Sequence, residues 1–332
     1  MSSPPTTNMY RLTARVEIDS ERKWVIDKIT ACEIERSTDD LTDTCKLTLP
    51  KRMLWDSKEG APLRRGDKVR ISLGYDDDLQ LAFVGYIREV GFKTPVVIEC
   101  EDEMYQLKKQ ATVKKAYRNA SLSQILSDQG ITDFKVLGEQ TLGAYRVKAD
   151  NVAALLGELK EQGVRSFFRY EDGKPILYAG VVFDREASGK ASQVIASGIN
   201  LISDSSLKEQ HGDTMRLKVK AISFQPTAKK GKTKKIKLEL GDADGELRTL
   251  HTYGKSESEL RAWAEQEMQR LKRDGLAGSV TTFGAKLLDK LDTVGIIIDG
   301  KKKGVYQVKK VTIKYGTEGL RQDVTLGFRV AD

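Results

Sequence analysis

The sequence predicts a mainly β chain with an α+β insert: two similar β-barrel domains, a small α/β domain and a long helix. Three observations predict it. Apolar residues alternate with polar ones over the first hundred positions and again from about 190, the period of half-buried strands. The pattern between 101 and 185 turns helical. Two segments more than two hundred residues apart share one layout, the mark of an internal repeat. The expected domains are therefore 1–100, a first barrel; 101–185, the insert; and 186–332, a second barrel carrying a helix over 256–273.

The elements follow in order. Leu12, Ala14, Val16 and Ile18 alternate with polar residues, and the β-rich run Trp24–Glu35 ends at the turn Ser37-Thr38-Asp39-Asp40. Cys45, Leu47 and Leu49 alternate up to Pro50, which lacks the N–H a ladder needs. Arg65-Gly66-Asp67 turns into a strand carrying Val69, Ile71 and Leu73. The polar turn Asp76-Asp77-Asp78 then leads to Ala82–Val90 and Pro95–Cys100. Strands this short and close suit a barrel or sandwich.

Helical signals begin with Glu101–Lys109, acidic at its start and basic at its end, as the helix dipole favours. Ser121-Leu122-Ser123-Gln124 fits a capping box, with Leu122, Ile125 and Leu126 as the apolar stripe and Gly130 as the stop. Asp150 or Asn151 starts a helix bearing Val152, Leu155, Leu156 and Leu159, stopped by Gly163. Ser166–Tyr170 and Pro175–Tyr178 flank Glu171-Asp172-Gly173-Lys174, a hairpin whose glycine supplies positive φ. Strands return at Ser192–Ser197, Asp213–Phe224 and Lys234–Leu240. Ser256 and Glu259 form a second capping box, and Leu260, Trp263, Ala264, Met268 and Leu271 lie along one face, a stripe that reads as core. Lys272, Arg273 and Gly275 end this helix, and Asp292–Ile298, Gly304–Tyr315 and Val324–Val330 close the chain as strands.

Composition narrows the function. The 332 residues include three Cys, two His and no Cys-x-x-Cys, which argues against a disulfide framework and a Cys- or His-built metal site. Cys32 and Cys45 face each other if their strands are neighbours; they otherwise read as small buried hydrophobes in a reducing cytoplasm. No apolar run reaches the length of a membrane span, and the N-terminus lacks the pattern of a secretory signal. The surplus of 56 Lys and Arg over 48 Asp and Glu gives a net charge of +8, open to nucleic acid, an anionic surface or an acidic protein.

The repeat pairs Leu63-Arg64-Arg65-Gly66-Asp67-Lys68-Val69-Arg70-Ile71 with Leu288-Asp289-Lys290-Leu291-Asp292-Thr293-Val294-Gly295-Ile296. Each is followed by a polar turn and a long strand bearing glycine and tyrosine, Phe83–Val90 and Gly304–Val311. Stretches 62–90 (PLRRGDKVRISLGYDDDLQLAFVGYIREV), 98–109 (IECEDEMYQLKK), 257–284 (ESELRAWAEQEMQRLKRDGLAGSVTTFG) and 291–315 (LDTVGIIIDGKKKGVYQVKKVTIKY) resemble the hub proteins of contractile phage tails and related injection machines, the late control protein D and VgrG-type family. The order of elements agrees along nearly the whole chain.

The resemblance implies two related barrels per chain with a small α/β domain packed outside. It implies a homotrimer whose six barrels meet a sixfold tail tube on one side and a threefold central spike on the other. Duplicating a barrel lets a trimer match a hexamer. The implied partners are the chain itself, the tail tube protein, the spike protein and other baseplate proteins, with DNA as passing cargo. The implied location is a virion tail or injection particle made in the bacterial cytoplasm. The chain stops at Asp332 without the repeat-rich segment of a VgrG spike, so the spike is expected as a separate chain.

The candidate contact residues are two lysine clusters, Lys229, Lys230, Lys232, Lys234 and Lys235, and Lys301, Lys302 and Lys303, the latter read as a hairpin turn. Each is a solvated loop tip, a dock for an acidic neighbour, or a phosphate contact for DNA, in that order. Asp76-Asp77-Asp78 lacks the glycine and distal glutamate of a calcium loop. Glu101-Asp102-Glu103 reads as helix-start charges rather than a hydrolytic pair, and His251 as a loop residue. No P-loop, dinucleotide fingerprint or nucleophile elbow occurs, so no catalytic residue, metal or cofactor is expected. The rival readings are a nucleic-acid-binding barrel module using its lysine loops and a tail-associated cell-wall hydrolase.

Overall fold

The computed structural model describes residues 10–50, 63–91, 94–138, 141–180, 190–225, 234–272 and 274–331. The first segment gives β1 (Leu12–Asp19), β2 (Lys23–Ile26), β3 (Ala31–Ser37), β4 (Thr44–Leu49), β5 (Lys68–Tyr75), β6 (Asp78–Val90) and β7 (Val96–Glu101). The insert holds α1 (Met104–Leu107), β8 (Ala116–Ser121), α2 (Leu122–Asp128), β9 (Phe134–Leu137), β10 (Thr141–Arg146), α3 (Val152–Lys160), β11 (Arg165–Glu171) and β12 (Lys174–Gly180). The last segment begins with β13 (Gln193–Ala196), β14 (Leu201–Ser203), β15 (Lys208–Gln210), β16 (Leu217–Gln225), β17 (Lys234–Gly241) and β18 (Glu246–Tyr253). It continues with α4 (Glu257–Leu271), β19 (Gly275–Ala277), β20 (Ser279–Phe283), β21 (Thr293–Ile298), β22 (Lys301–Gly316) and β23 (Gly319–Ala331).

The chain is mainly β, as its alternation predicts. One 13-stranded sheet runs β14-β20-β23-β22-β3-β4-β7-β6-β5-β1-β2, with β21 joined to β22 and β13 to β21. Strands β1 to β7 come from the first hundred residues and the others from beyond residue 190, and a single antiparallel seam, β3 with β22, joins them. In that seam Ile34 faces Ile313 and Glu35 faces Thr312. Tyr75 ties the halves again: its hydroxyl donates to the Leu320 carbonyl at 3.2 Å and accepts from the Leu320 N–H at 2.8 Å. One apolar core runs through both, including Val16, Leu47, Ile71, Ile98, Val294, Val311 and Leu326. Among the described residues the sheets are open, and no strand pairing returns β2 to β3 or β14 to β13.

The shared layout is duplicated atom by atom at two chain corners. The Gly66 N–H donates to the Ile87 carbonyl at 2.8 Å and the Ile87 N–H to the Asp67 carbonyl at 2.9 Å. The Leu291 N–H donates to the Val308 carbonyl at 2.9 Å and the Val308 N–H to the Asp292 carbonyl at 2.7 Å. Asp67 Oδ2 accepts from the Arg64 N–H at 2.7 Å, and Asp292 Oδ2 from the Asp289 N–H at 2.8 Å. The residue before each aspartate has positive φ, +97° at Gly66 and +68° at Leu291, conformationally cheap only for the glycine. The hairpin turn after each corner also uses two residues of positive φ, Asp76-Asp77 and Asp299-Gly300, the geometry of a tight turn matched to strand twist.

The helices obey their local signals, with one exception. Ser121 accepts from the Gln124 N–H at 3.1 Å and Asn151 from the Ala154 N–H at 2.8 Å. After α3 the Val164 N–H reaches back to the Leu159 carbonyl while Gly163 takes φ +88°, a glycine-closed helix end. The expected helix over Glu101–Lys109 shrinks to the single turn of α1. Glu101 completes β7, and Asp102 instead caps that turn by accepting from the Met104 N–H at 3.0 Å. Three strands of the insert, β8 to β10, and strand β18 carried no clear alternation in the sequence, and the expected strand from Asp213 starts only at Leu217.

Helix α4 covers one face of the three-stranded sheet β17-β16-β18. Leu260 and Ala264 are fully buried there against Leu217, Val219 and Ala221, with Trp263, Met268 and Leu271 beside them, so the Trp/Met stripe is core. Its capping box is complete: Ser256 accepts from the Glu259 N–H, and Glu259 accepts from the Ser256 N–H at 2.8 Å. At the far margin of the large sheet, the Asn200 side-chain amide donates to the Val194 carbonyl and accepts from the Ala196 N–H, both at 2.8 Å. It fills the place on β13 that a neighbouring strand would take.

Ser256→Ala removes an acceptor from the first turn of α4 and is expected to destabilise the protein by about 1 kcal/mol, while Ser256→Gly costs only a few tenths. Urea denaturation of the two variants checks this; no loss of stability in Ser256→Ala would mean that the cap contributes nothing.

Candidate functional site

The two lysine clusters fall in different places. Lys229, Lys230 and Lys232 lie outside the described residues. Lys234 and Lys235 open β17, both exposed, with Lys235 Nζ 5.2 Å from the centre of the Phe224 ring. Lys301, Lys302 and Lys303 are not a turn: Asp299-Gly300 makes the turn, since it needs two positive φ values that lysine resists. The three lysines begin β22, with Lys301 facing Ile298 and Lys302 facing Ile297, and Lys303 pairs with Glu209. They belong to the large sheet and Lys234–Lys235 to the small one, with no strand pairing between the two sheets among the described residues.

Lys235 has companions that inspection of lysine runs overlooked. The register places Phe224 opposite Lys235, Ile222 opposite Lys237 and Lys220 opposite Glu239. Side chains alternate across a strand, so Lys218, Lys220, Lys235 and Lys237 share the face turned away from α4. Glu239 is the acid among them, 2.9 Å from Lys218 and 3.7 Å from Lys220. The signal was present as lysine at every second position of 218–220 and 235–237. At one end of this face His251 is part of β18, not a loop, and stacks on Phe224 at 5.7 Å. Burial, aided by the charges of Lys235 and Arg165, holds its imidazole below the usual range. The insert abuts it so closely that a Cβ on Gly163 would sit 2.3 Å from the His251 Cβ.

A second constellation, buried, lies where the insert meets both β segments. Lys290, in the second corner, is fully buried, and its Nζ lies 2.6 and 2.7 Å from the two oxygens of Asp43. The Asp43 N–H donates to Asp102 Oδ2 at 3.1 Å. Around this core, Asp289 stands 3.5 Å from Arg36 and 3.6 Å from Arg169, and Arg169 reaches Asp292 at 2.9 Å. Arg36 comes from β3, Arg169 from β11, and Asp289 and Asp292 from the second corner, so three segments meet in one ionic network.

Burial sets its protonation. It raises Asp43 despite the pull of Lys290. It pushes Asp102 up to about 8, with the Asp43 charge adding to the rise. It also works against Asp289, but Arg36, Lys290 and Arg169 together hold that carboxyl below its usual range. Three basic side chains, Lys290, Arg36 and Arg169, thus face Asp43, Asp289 and Asp292, the kind of pairing a buried network requires. Of Glu101-Asp102-Glu103, expected as helix-start charges, Glu101 and Asp102 are buried rather than solvated, and only Glu103 stands at the start of α1.

The cysteines are buried and free. Cys32 and Cys45 do approach, Sγ to Sγ at 3.6 Å, and burial raises the Cys45 and Cys100 thiols, which keeps them unreactive. Among the described residues no cluster of three His, Cys, Asp or Glu could hold a metal ion, and no helix is long and apolar enough to cross a membrane.

The fold of this chain is similar to that of solved phage tail proteins, and the resemblance read from the sequence holds at that level. The tail protein from Neisseria meningitidis MC58 superposes with a TM-score of 0.61 at 12% identity, over 96% of each chain. The 43 kDa tail protein of prophage MuSo2 from Shewanella oneidensis gives 0.58 at 14% identity, over 95% of this chain and 97% of that one. The E. coli c3393 protein, a type VI secretion component with structural similarity to T4 tail proteins, gives 0.54 at 11% identity, over 96% of this chain and 79% of that one. No family model and no curated protein matches the sequence.

Asp102 makes stability depend on pH. Below its ordinary value of 3.8 the carboxyl is protonated in both folded and unfolded chains. Above it only the unfolded chain releases the proton, so the stabilising contribution falls steadily until pH passes about 8, where the folded form ionises too. Asp102→Asn, which cannot ionise, is expected to gain on the wild type by about 1 kcal/mol per pH unit between about pH 5 and 7. Urea unfolding across that range checks it, and a difference independent of pH would refute the assignment.

Proposed function

We propose that the chain is a structural hub of a contractile phage tail or a phage-like injection machine. In this reading it forms a homotrimeric ring that joins a sixfold tail tube to a threefold central spike, and it works by shape and symmetry rather than by chemistry. The observation that carries the reading is the duplicated corner, Arg64–Asp67 with Ile87 and Asp289–Asp292 with Val308. Two copies of one building plan in each chain give a trimer six near-equivalent units. The division at residues 100 and 185 follows: each β segment is one such unit, a barrel completed in the assembly, with the insert packed outside. The fold shared with phage tail proteins supports the same role.

Contacts with ring neighbours are assigned to the lysine face of β16 and β17, the start of β22, and the outer edge of β17, which pairs only with β16 among the described residues. An open strand edge accepts a strand from a partner, and Lys218, Lys220, Lys235 and Lys237 suit an acidic surface on the tube, the spike or another baseplate protein. DNA as passing cargo is the second reading of these lysines and is favoured by the same face; it predicts affinity that falls steeply with added salt.

Multi-angle light scattering of the purified chain, followed by electron microscopy, tests the hub. The expected result is a mass of three chains and class averages with threefold symmetry around a central channel. A strict monomer at assembly concentrations, alone and with its tube protein, would sink the proposal. Charge reversal at Lys235 and Lys237 is expected to leave the trimer intact and weaken capture of the acidic neighbour at least tenfold; unchanged capture would remove that face from the interface.

A further inference from the structure

Lysine is among the residues least often fully buried, yet Lys290 is completely enclosed. Its ammonium group stands against the whole carboxyl of Asp43, 2.6 and 2.7 Å from its two oxygens. An apolar ring closes one side: the fully buried Phe167 lies 4.8 Å from Nζ. Neither partner is free to drift. The Lys290 N–H is held by Asp289 Oδ1 at 2.8 Å, and Asp43 is held by the exchange of its N–H and carbonyl with Asp102. The nearby arginines make their own ion pairs with Asp289 and Asp292, which leaves the direct contact of the Lys290 ammonium to Asp43.

We propose that Lys290 and Asp43 condense within the folded chain into an isopeptide bond, a covalent tie between the two β segments. The enclosure withholds water from the pair, and burial raises the Asp43 carboxyl, which eases the proton transfer that precedes attack. A proton passes from Nζ to an Asp43 oxygen, and the freed lone pair attacks the Asp43 Cγ. The C–N bond forms as the C–O bond to the departing hydroxyl breaks. Asp102 gives that hydroxyl a proton, so that it leaves as water, and regains a proton from the nitrogen. The sum is one amide and one water from an ammonium and a carboxylate, with no oxidant, cofactor or second protein. Fixed reactants convert a slow bimolecular condensation into an intramolecular one, where effective concentrations are very high, and the dry surroundings oppose the reverse reaction. Asp102, held beside Asp43 by the Asp43 N–H on its Oδ2 at 3.1 Å and by its own N–H on the Asp43 carbonyl, is the proton carrier.

Proteolytic digestion and mass spectrometry of the purified full-length chain test it. The expected product is a branched peptide joining the Asp43 segment to the Lys290 segment, lighter by one water than the two linear peptides together. Lys290→Arg is expected to abolish it, Asp43→Asn to form it with loss of ammonia in place of water, and Asp102→Asn to leave the two peptides separate. Wild-type chain yielding Asp43 and Lys290 only in unlinked linear peptides would overturn the proposal, as would a branch at any other pair. This readout needs no variant to fold.

Discussion

The seam of β3 against β22 is the contact on which the two β segments depend. Six pairs, from Ser37 against Lys310 to Cys32 against Tyr315, turn two hydrogen-bonded groups of strands into one sheet. A backbone ladder is indifferent to sequence, so something must fix its register. Two devices do so. Isoleucines facing each other, Ile34 and Ile313, are both fully buried, and a slip by one residue would send them to the wrong face. Arg36, at the end of the seam, reaches across to Asp289 and so ties the ladder to the ionic network beneath the insert.

That network explains why the insert sits where it does. Phe167 and Arg169 lie on the same strand, β11, and both face the second corner, one as an apolar lid over Lys290 and the other as a cation for Asp289 and Asp292. Breaking such a set by removing one charge leaves its partner uncompensated in a poorly solvated site, a large cost. The insert therefore covers charges that would otherwise draw water into the junction. Its remaining core is built from α2, α3 and the strands around them, with Leu41 and Tyr253 of the β segments packed against it.

Local order was legible in the sequence where the cause is local. The caps at Ser121, Asn151 and Ser256, the glycine stop at Gly163 and the two-residue alternation of β1, β4 and β5 each depend on neighbours a few positions away. The repeat was legible as an aspartate two places before a valine, although nothing in the sequence says that Asp67 and Asp292 close equivalent corners. The ionic network was not legible. Asp43 and Asp102 are 59 positions apart and Asp43 and Lys290 are 247, so only the fold creates the burial that changes their chemistry. The lysines at 301–303 misled for a related reason: a run of charge looks like a turn until Asp299-Gly300 claims the turn by backbone geometry. Which residues meet other chains was legible only in outline, because an interface is a property of surfaces that this chain alone does not complete.

The Asn200 amide on β13 has a further effect. By occupying one margin of the large sheet with a side chain of its own, the molecule gives that margin no vacancy for another strand, whereas β17 keeps its outer row of donors and acceptors among the described residues. The large sheet also ends on β2 and β14, and the small one on β17 and β18, so the margins are not alike. A second backbone is refused along β13, which removes one of the directions in which copies of the chain could join strand to strand.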